Sequence, residues 1–236
     1  MTREKIKQTW IRKIHYSEEH WGLLRRKREK ASKILAALSE KNIQGYVYGS
    51  IARGDCREKS DIDIILFSPP TPFILERILD KKFNIYAKEI SQATPKLAVK
   101  GHFYLDQKTT ISFPITKLSK FEREFYTYAG KMSLPMIKRF KERVPGIDKR
   151  LVLIIPTEEG HEERSIIGRE KTASKVVGVP MELILKRERL LKRRDKKGRS
   201  GPFIREKLGK NESFDAILRR LAAKNPFLRE QLRKNS

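Results

Sequence analysis

The spacing of apolar residues along the chain predicts a mixture of helices and short strands. In residues 17–38 apolar side chains recur at helical spacing, from Trp21 to Leu38. Beyond residue 42, short runs rich in β-branched and aromatic residues alternate with turn residues and predict strands. These strands are residues 45–48, 62–67, 83–87, 98–105 and 109–115. Residues 73–79, after a proline-rich break, predict a short helix, and residues 106–108 predict a hairpin turn.

The second half of the chain has a different pattern. Residues 151–155 are continuously apolar, which predicts a buried strand. The acidic segment at residues 158–163 is predicted to be a polar loop. Apolar positions at helical spacing predict three helices, at residues 181–194, 214–223 and 226–232.

The charge of the chain predicts a polyanion as its binding partner. Lys and Arg number 54 against 29 Asp and Glu, which gives a net charge of +25 and a pI near 10.2. Residues 181–236 hold 18 of these cations against 7 acids. A thermophile-like surface of ion pairs would need both signs in similar number. We therefore expect a nucleic acid as partner, in preference to an anionic membrane.

Composition excludes several other classes. The single cysteine, Cys56, allows no disulfide framework and no cysteine-based zinc site. The four histidines show no metal-ligand spacing. No segment approaches the roughly 20 apolar residues of a membrane span, and the first residues lack an apolar signal core. The sequence predicts a soluble, cytoplasmic protein.

The chemistry is concentrated in residues 48–66. A predicted strand leads into Gly49-Ser50, a short helical stretch follows, and the next strand opens with Asp61-Ile62-Asp63. Glycine lets the backbone approach a ligand closely, and N–H groups with a hydroxyl at the start of a helix favour phosphate. Asp61 and Asp63 are two positions apart on a strand, so their side chains share one face. Paired carboxylates repel, and Mg²⁺ or Mn²⁺ would neutralise them while binding substrate phosphates.

This segment resembles the DNA polymerase beta superfamily of nucleotidyltransferases, in particular its small archaeal and bacterial members. The resemblance covers about residues 43–115. Its pattern is Gly-Ser, a variable helical spacer, and two acids separated by one apolar residue. The matching positions are Gly49, Ser50, Asp61 and Asp63, and Arg53 and Ser60 fit the version found in the small enzymes.

The resemblance implies transfer of a nucleoside monophosphate from a nucleoside triphosphate to an acceptor, usually a hydroxyl. Gly49 and Ser50 would hold the β- and γ-phosphates, with Arg53 and Ser60 also at the nucleotide. Asp61 and Asp63 would ligate two metal ions.

The family normally adds a third carboxylate on a later strand, and here the sequence departs from the pattern. A loose similarity to archaeal CCA-adding enzymes would put that acid just before Pro114, where this chain has none. Asp106 is the nearest candidate, although it also suits an ordinary hairpin turn. Glu89 is a weaker candidate.

A basic helix is the second functional element. Its cations flank leucines that would dock one face of the helix while the other face meets phosphates. The candidate nucleic-acid-binding residues are Lys186, Arg187, Arg189, Lys192, Arg193, Arg194, Lys196, Lys197 and Arg199. A shorter run, residues 25–28, is equally compatible with a solvated helix face.

The predicted fold class is α+β, with a polymerase-beta-like core of mixed sheet and flanking helices. The predicted domains are a basic helical extension (1–42), the core (43–120) and a basic, mostly helical C-terminal domain with one buried strand (121–236). Three functions stay open: a nucleotidyltransferase acting on RNA such as tRNA or rRNA, a catalytically degenerate RNA- or ribosome-binding protein, and a transferase acting on small molecules or proteins. The last leaves the net charge of +25 unexplained.

Overall fold

The chain folds around two β-sheets in the computed structural model, which describes residues 11–198 and 200–233. The strands are β1 (Ile11–His15), β2 (Gly45–Tyr48), β3 (Ile62–Leu66), β4 (Ala87–Gln92), β5 (Lys100–Asp106), β6 (Thr109–Pro114), β7 (Lys131–Ser133), β8 (Gly146–Ile147), β9 (Val152–Thr157), β10 (Gly160–Ser165) and β11 (Ile204–Leu208). The helices are α1 (Glu18–Ser39), α2 (Ser50–Arg53), α3 (Pro72–Asp80), α4 (Lys120–Tyr128), α5 (Leu134–Lys138), α6 (Glu170–Val177), α7 (Met181–Lys197), α8 (Phe214–Lys224) and α9 (Pro226–Arg233).

The larger sheet has seven strands in the order β11-β4-β5-β6-β3-β2-β7. Its strands pair antiparallel except β3 and β6, which run parallel. This mixed sheet with helices confirms the predicted α+β class and is consistent with a nucleotidyltransferase core. The β3–β6 register sets Asp63 opposite Thr110, a pairing that matters for the site below.

Helix α1 is part of the main core. Ser17 caps its first turn, where the acidic Glu18 and Glu19 also suit the helix N-terminus. Its apolar stripe, including Leu24 and Leu38, is buried with the inward-facing residues of the sheet. None of the helices in residues 11–198 and 200–233 has the length and apolar composition needed to cross a bilayer.

A buried arginine joins α1 to the segments around the site. Arg28 is 2% exposed, so it does not serve the solvated or nucleic-acid-binding face considered for residues 25–28. Its guanidinium donates to the carbonyl oxygens of Ile51 (3.1 Å), Ala52 (3.1 Å), Phe140 (2.8 Å) and Glu142 (2.7 Å). Burial, reinforced by Arg143, lowers its pKa to about 10. These hydrogen bonds fix α2 and the segment after α5 against α1.

The smaller sheet has the order β1-β10-β9-β8, and the strands of both sheets correct the sequence analysis at three places. The N-terminal zone, predicted to be helical, contains the strand β1. Residues 160–165, within and beyond the predicted polar loop, form β10, which pairs with β9 and β1. Residues 121–233, predicted to contain one strand, contain β7 to β11 in their described part. Neighbouring strands supply the backbone partners that these polar sequences need, and such long-range pairing leaves no local pattern.

The third predicted strand was misplaced. Residues 83–86 precede β4, which occupies residues 87–92 and carries the buried charges Lys88 and Glu89. Lys88 pairs with Glu76 of α3 at 2.8 Å, and Glu89 pairs with Arg205 of β11 at 3.1 Å. These partners are distant in sequence, so the charged run could not be recognised as a strand.

Replacing Arg28 with Met should lower the free energy of unfolding by roughly 3 kcal/mol, because buried carbonyl oxygens would lose their hydrogen bonds. Chemical denaturation measures this change. The exposed Arg26 on the same helix provides the control, and Arg26→Met should change stability by about 0.5 kcal/mol or less. Equal effects of the two variants would show that the buried hydrogen bonds do not stabilise the fold.

Candidate active site

The site begins at a tight turn between β2 and α2. Gly49 adopts φ 82° and ψ −144°, a conformation that side-chain-bearing residues rarely take. Its N–H donates to the carbonyl of Gly130 at 2.8 Å. No atom of the residues that the structure describes lies within 4 Å of the position where a Cβ would stand, so the turn leaves open space beside its backbone. Ser50 then opens the single turn of α2.

Two aspartates stand beside this turn, Asp63 on β3 and Asp61 immediately before its first residue. Ile62 and Ile64 point into the core, with 3% and 0% exposure. Side chains alternate along a strand, so Asp61 and Asp63 point the other way, away from the core. Both line the same cleft as Gly49 and Ser50. The turn and the acid pair, predicted from the sequence to act together, are therefore adjacent.

The acid pair is electrostatically strained. Burial and the neighbouring Asp61 carboxylate raise the pKa of Asp63 to about 6, while Lys149 acts in the opposite direction. Burial, followed by the charge of Asp63, also raises the pKa of the Tyr48 hydroxyl well above its usual range. A half-buried carboxylate with a like charge beside it favours a cation as ligand.

The cleft has a volume of about 360 Å³, within the range of small-molecule sites. One wall consists of the glycine turn and the acid pair. The other wall comes from α4, the β8–β9 turn and α7, and its residues include Phe125, Tyr128, Asp148, Lys149 and Arg187. Cationic and aromatic side chains thus face the two carboxylates across the cleft.

Arg53 and Ser60 also line the cleft, and both already have partners in the protein. Arg53 donates to the Ala129 carbonyl (2.6 Å) and to the Asp55 carboxylate (2.9 Å), and it is 5% exposed. The Ser60 hydroxyl accepts from the Arg57 N–H at 2.9 Å. These contacts give both residues a role in shaping the walls of the cleft.

Asp106 lies on the wrong side of the sheet for a third carboxylate. It pairs with Thr109, which in turn pairs with the core-facing Ile62, so its side chain leaves the face opposite to that of Asp63. Asp106 binds Lys30 of α1 at 2.5 Å and accepts from the Lys108 N–H at 2.8 Å. Slight burial opposes the shift, but these hydrogen bonds lower its pKa. The assignment of Asp106 to the catalytic set is corrected on this geometry.

The other acids near the cleft do not supply the third carboxylate either. Glu89 shares the face of Asp63, but it lies three strands away, roughly 14 Å at the usual spacing, and pairs with Arg205. The residue opposite Asp63 on the neighbouring strand is Thr110. Asp148 lines the cleft, but Arg150 and the Val152 N–H occupy its carboxylate. Within residues 11–198 and 200–233, no three His, Cys, Asp or Glu side chains form a metal-binding group.

Comparison with known proteins agrees with this geometry. Residues 28–125 match the family model described as a nucleotidyltransferase domain. This part of the chain is a nucleotidyltransferase domain. The match contains the glycine turn and both aspartates, and it is consistent with the polymerase beta superfamily. Comparison with curated proteins and with solved structures gave no match, so the similarity to CCA-adding enzymes stays a prediction.

The nucleotidyltransferase domain does not contain the whole cleft. Asp148, Lys149 and Arg187 lie beyond residue 125, on the β8–β9 turn and on α7. Sequence reasoning missed Asp148 and Lys149, which stand in a segment without any recognisable motif. It also missed Tyr128, which lies in α4, a helix that the sequence analysis did not predict. Arg187 was singled out from the sequence, but for a different role.

The basic helix α7 divides into two sets of cations. Arg187 lies in the cleft, and Arg194 is half-buried. The exposed members are Lys186, Arg189, Lys192, Arg193, Lys196 and Lys197. Two of these six have acidic partners one turn away, since Lys186 meets Glu182 and Lys192 meets Glu188. Arg199 lies outside the described residues.

Asp63→Asn should stabilise the metal-free protein at pH 8. The folded state raises the pKa of Asp63 from about 4 to about 6, so its favourable contribution is complete below pH 4 and is lost as the pH rises through 6. The gain at pH 8 should reach at most roughly 3 kcal/mol and vanish at pH 4. Urea denaturation in EDTA across this range measures it.

Asp106→Asn is the matched control and should behave in the opposite way. Its pKa is lowered in the folded state, so its contribution is present above about pH 4 and is lost on acidification. Asp106→Asn should therefore weaken the protein at pH 8. A loss of stability at pH 8 in Asp63→Asn would contradict the strained acid pair.

Proposed function

We propose that this protein transfers a nucleoside monophosphate from a nucleoside triphosphate to an RNA acceptor in the cleft of its nucleotidyltransferase domain. The observation that carries the proposal is the projection of Asp61 and Asp63 into one cleft with the open Gly49 turn. The reaction would join an acceptor oxygen to the α-phosphorus and release pyrophosphate.

The residues present fit a divalent cation such as Mg²⁺ or Mn²⁺. Asp61 and Asp63 offer oxygen ligands, and burial together with the neighbouring Asp61 carboxylate raises the pKa of Asp63. Magnesium sites of this kind often use only one or two carboxylates and complete their coordination with water and substrate phosphates. When bound, the metal would neutralise charge on the reacting phosphates.

The protein's own groups would position the nucleotide. The Gly49 turn leaves room for phosphate oxygens, and the Ser50 hydroxyl can donate to them. Arg53, held by Asp55 and Ala129, would act mainly by fixing this turn. Asp61 and Asp63 would hold the metal beside the bound phosphates.

The exposed cations of α7 support RNA as the acceptor. Arg189, Arg193, Lys196 and Lys197 are exposed on the helix whose Arg187 lines the cleft. No acid in the described part of the chain lies within ion-pair distance of these four side chains, so they are available to phosphates. The net charge of +25 fits a polyanionic acceptor better than a small molecule or a protein.

A second candidate function is binding of RNA and nucleotide without turnover. The observation that favours it is Thr110, which stands opposite Asp63 where an acid would complete the site, with Asp106 on the other face of the sheet. Such a protein would keep both binding surfaces and lack the third carboxylate.

Incubation with labelled ATP or CTP, Mg²⁺ and total RNA should transfer label to RNA. The double substitution Asp61→Asn, Asp63→Asn should abolish the transfer, because the metal would lose its ligands. Asp106→Asn should leave it unchanged, since Asp106 lies outside the cleft. Label retained by the double variant would refute the site, and tight RNA binding without any label would favour the second candidate.

Replacing Arg193, Lys196 and Lys197 with Gln should weaken RNA binding and its dependence on salt. Each lost phosphate contact should reduce the slope of log K against log [salt] by about 0.7 for a single strand, or about 2 for three contacts. Fluorescence anisotropy with a labelled RNA at several KCl concentrations measures this slope. A triple substitution of exposed cations elsewhere, at Lys81, Lys171 and Lys175, is the charge-matched control. An equal loss in both variants would indicate that net charge, rather than α7, binds the RNA.

A further inference from the structure

Arg187 is a partly buried cation that has no acidic partner among the described residues. Its guanidinium lies over the ring of Phe125, 4.7 Å from the centroid, and near that of Tyr128, at 5.9 Å. Its Nε is buried and has no hydrogen-bond partner among the described residues. Burial is the main cause of a lowered pKa for this group. A guanidinium removed from water without a counter-charge is unfavourable, so its position indicates an anion as ligand.

Two further polar groups converge on the same wall of the cleft. Tyr128 is 2% exposed, and its hydroxyl lies beside the Arg187 guanidinium and has no other hydrogen-bond partner in the part of the chain that the structure describes. Lys149 is exposed at the β8–β9 turn and lines the same cleft. Together the three groups offer an arginine fork, a hydroxyl donor and an ammonium, a set that suits phosphate oxygens.

We propose that Arg187, with Lys149 and Tyr128, binds the polyphosphate of the nucleoside triphosphate. This assignment rests on the proposed function and extends it, because it removes Arg187 from the RNA surface and gives α7 two roles. The inner side of the helix completes the nucleotide site, and the outer side carries the RNA-binding cations. All three residues lie beyond residue 125, so the nucleotidyltransferase domain would require the C-terminal half of the chain to hold its substrate.

The test compares two arginines on one helix by isothermal titration calorimetry. With Mg²⁺ and α,β-methylene ATP, which cannot be cleaved at the reacting bond, Arg187→Gln should weaken binding by about tenfold or more. Its affinity for AMP, which lacks the β- and γ-phosphates, should change by less than about twofold. Arg189→Gln removes the same charge from an exposed position and should leave the affinity for α,β-methylene ATP unchanged while weakening RNA binding.

Two more variants protect the test against misfolding of Arg187→Gln. Arg187→Lys keeps the charge but loses the planar fork, so its affinity for α,β-methylene ATP should fall between the wild-type protein and Arg187→Gln. Lys149→Gln changes an exposed side chain and should weaken binding of the same analogue severalfold.

The outcomes separate this inference from the proposed function. Wild-type affinity for α,β-methylene ATP in Arg187→Gln and Lys149→Gln would overturn the inference and leave the proposed function standing. If Arg187→Gln weakens RNA binding and leaves nucleotide affinity unchanged, Arg187 binds RNA and not the polyphosphate, as the sequence analysis predicted. Failure of the wild-type protein to bind the analogue with Mg²⁺ would overturn both.

Discussion

The repulsion between Asp61 and Asp63 is the constraint on which the rest of the site depends. The extended chain at the start of β3 puts both carboxylates on one face, and burial of Asp63 reduces the screening of its charge by water. A fold selected for stability alone would not keep this pair, since either residue could be neutral. The surrounding features all bear on the pair: an open glycine turn beside it, a lysine across the cleft, and a wall of cationic and aromatic side chains. The cleft is thus arranged for a ligand that brings both a cation and phosphates.

Such a strained pair needs a rigid frame, and buried hydrogen bonds provide it. Arg28 of α1 binds four carbonyl oxygens, two in α2 and two in the segment after α5. Helix α1, which precedes the glycine turn in sequence, therefore holds α2 in place. The Gly49 N–H is anchored to Gly130, immediately before β7. Arg53 reaches Ala129 beside it. Because the turn is tied to the chain on both sides of the cleft, residues far from the motif in sequence determine its shape, and the site extends beyond the recognisable domain.

The sequence predicted strands and site residues correctly where their interaction partners are close along the chain, and it failed where those partners are distant. The run of β-branched residues in 62–66 and the Gly-Ser turn are local patterns, and they correctly located β2 and β3 with the acid pair at the start of β3. Strand β4 was missed because Lys88 and Glu89 are buried against Glu76 and Arg205, which no local pattern reveals. Asp106 was a plausible third carboxylate from the sequence, because a shift of one position along the strand would put it on the face of Asp63. Only its pairing with Thr109 shows that its side chain leaves the opposite face. Lys149 carries no motif at all.

The basic helix shows why net charge is a weak guide to individual residues. Arg187 and Arg189 are two positions apart on a helix, which turns their side chains about 200° from each other, so one enters the cleft and the other meets solvent. The charge of the chain predicts a polyanion, but it does not say whether a given arginine meets RNA or a nucleotide's phosphates, because both ligands present the same group. Burial makes the distinction. An exposed cation is screened and gains from many weak contacts, whereas a desolvated guanidinium needs one well-placed anion. A single helix can therefore serve two phosphate ligands, provided that its inner and outer faces differ in access to water.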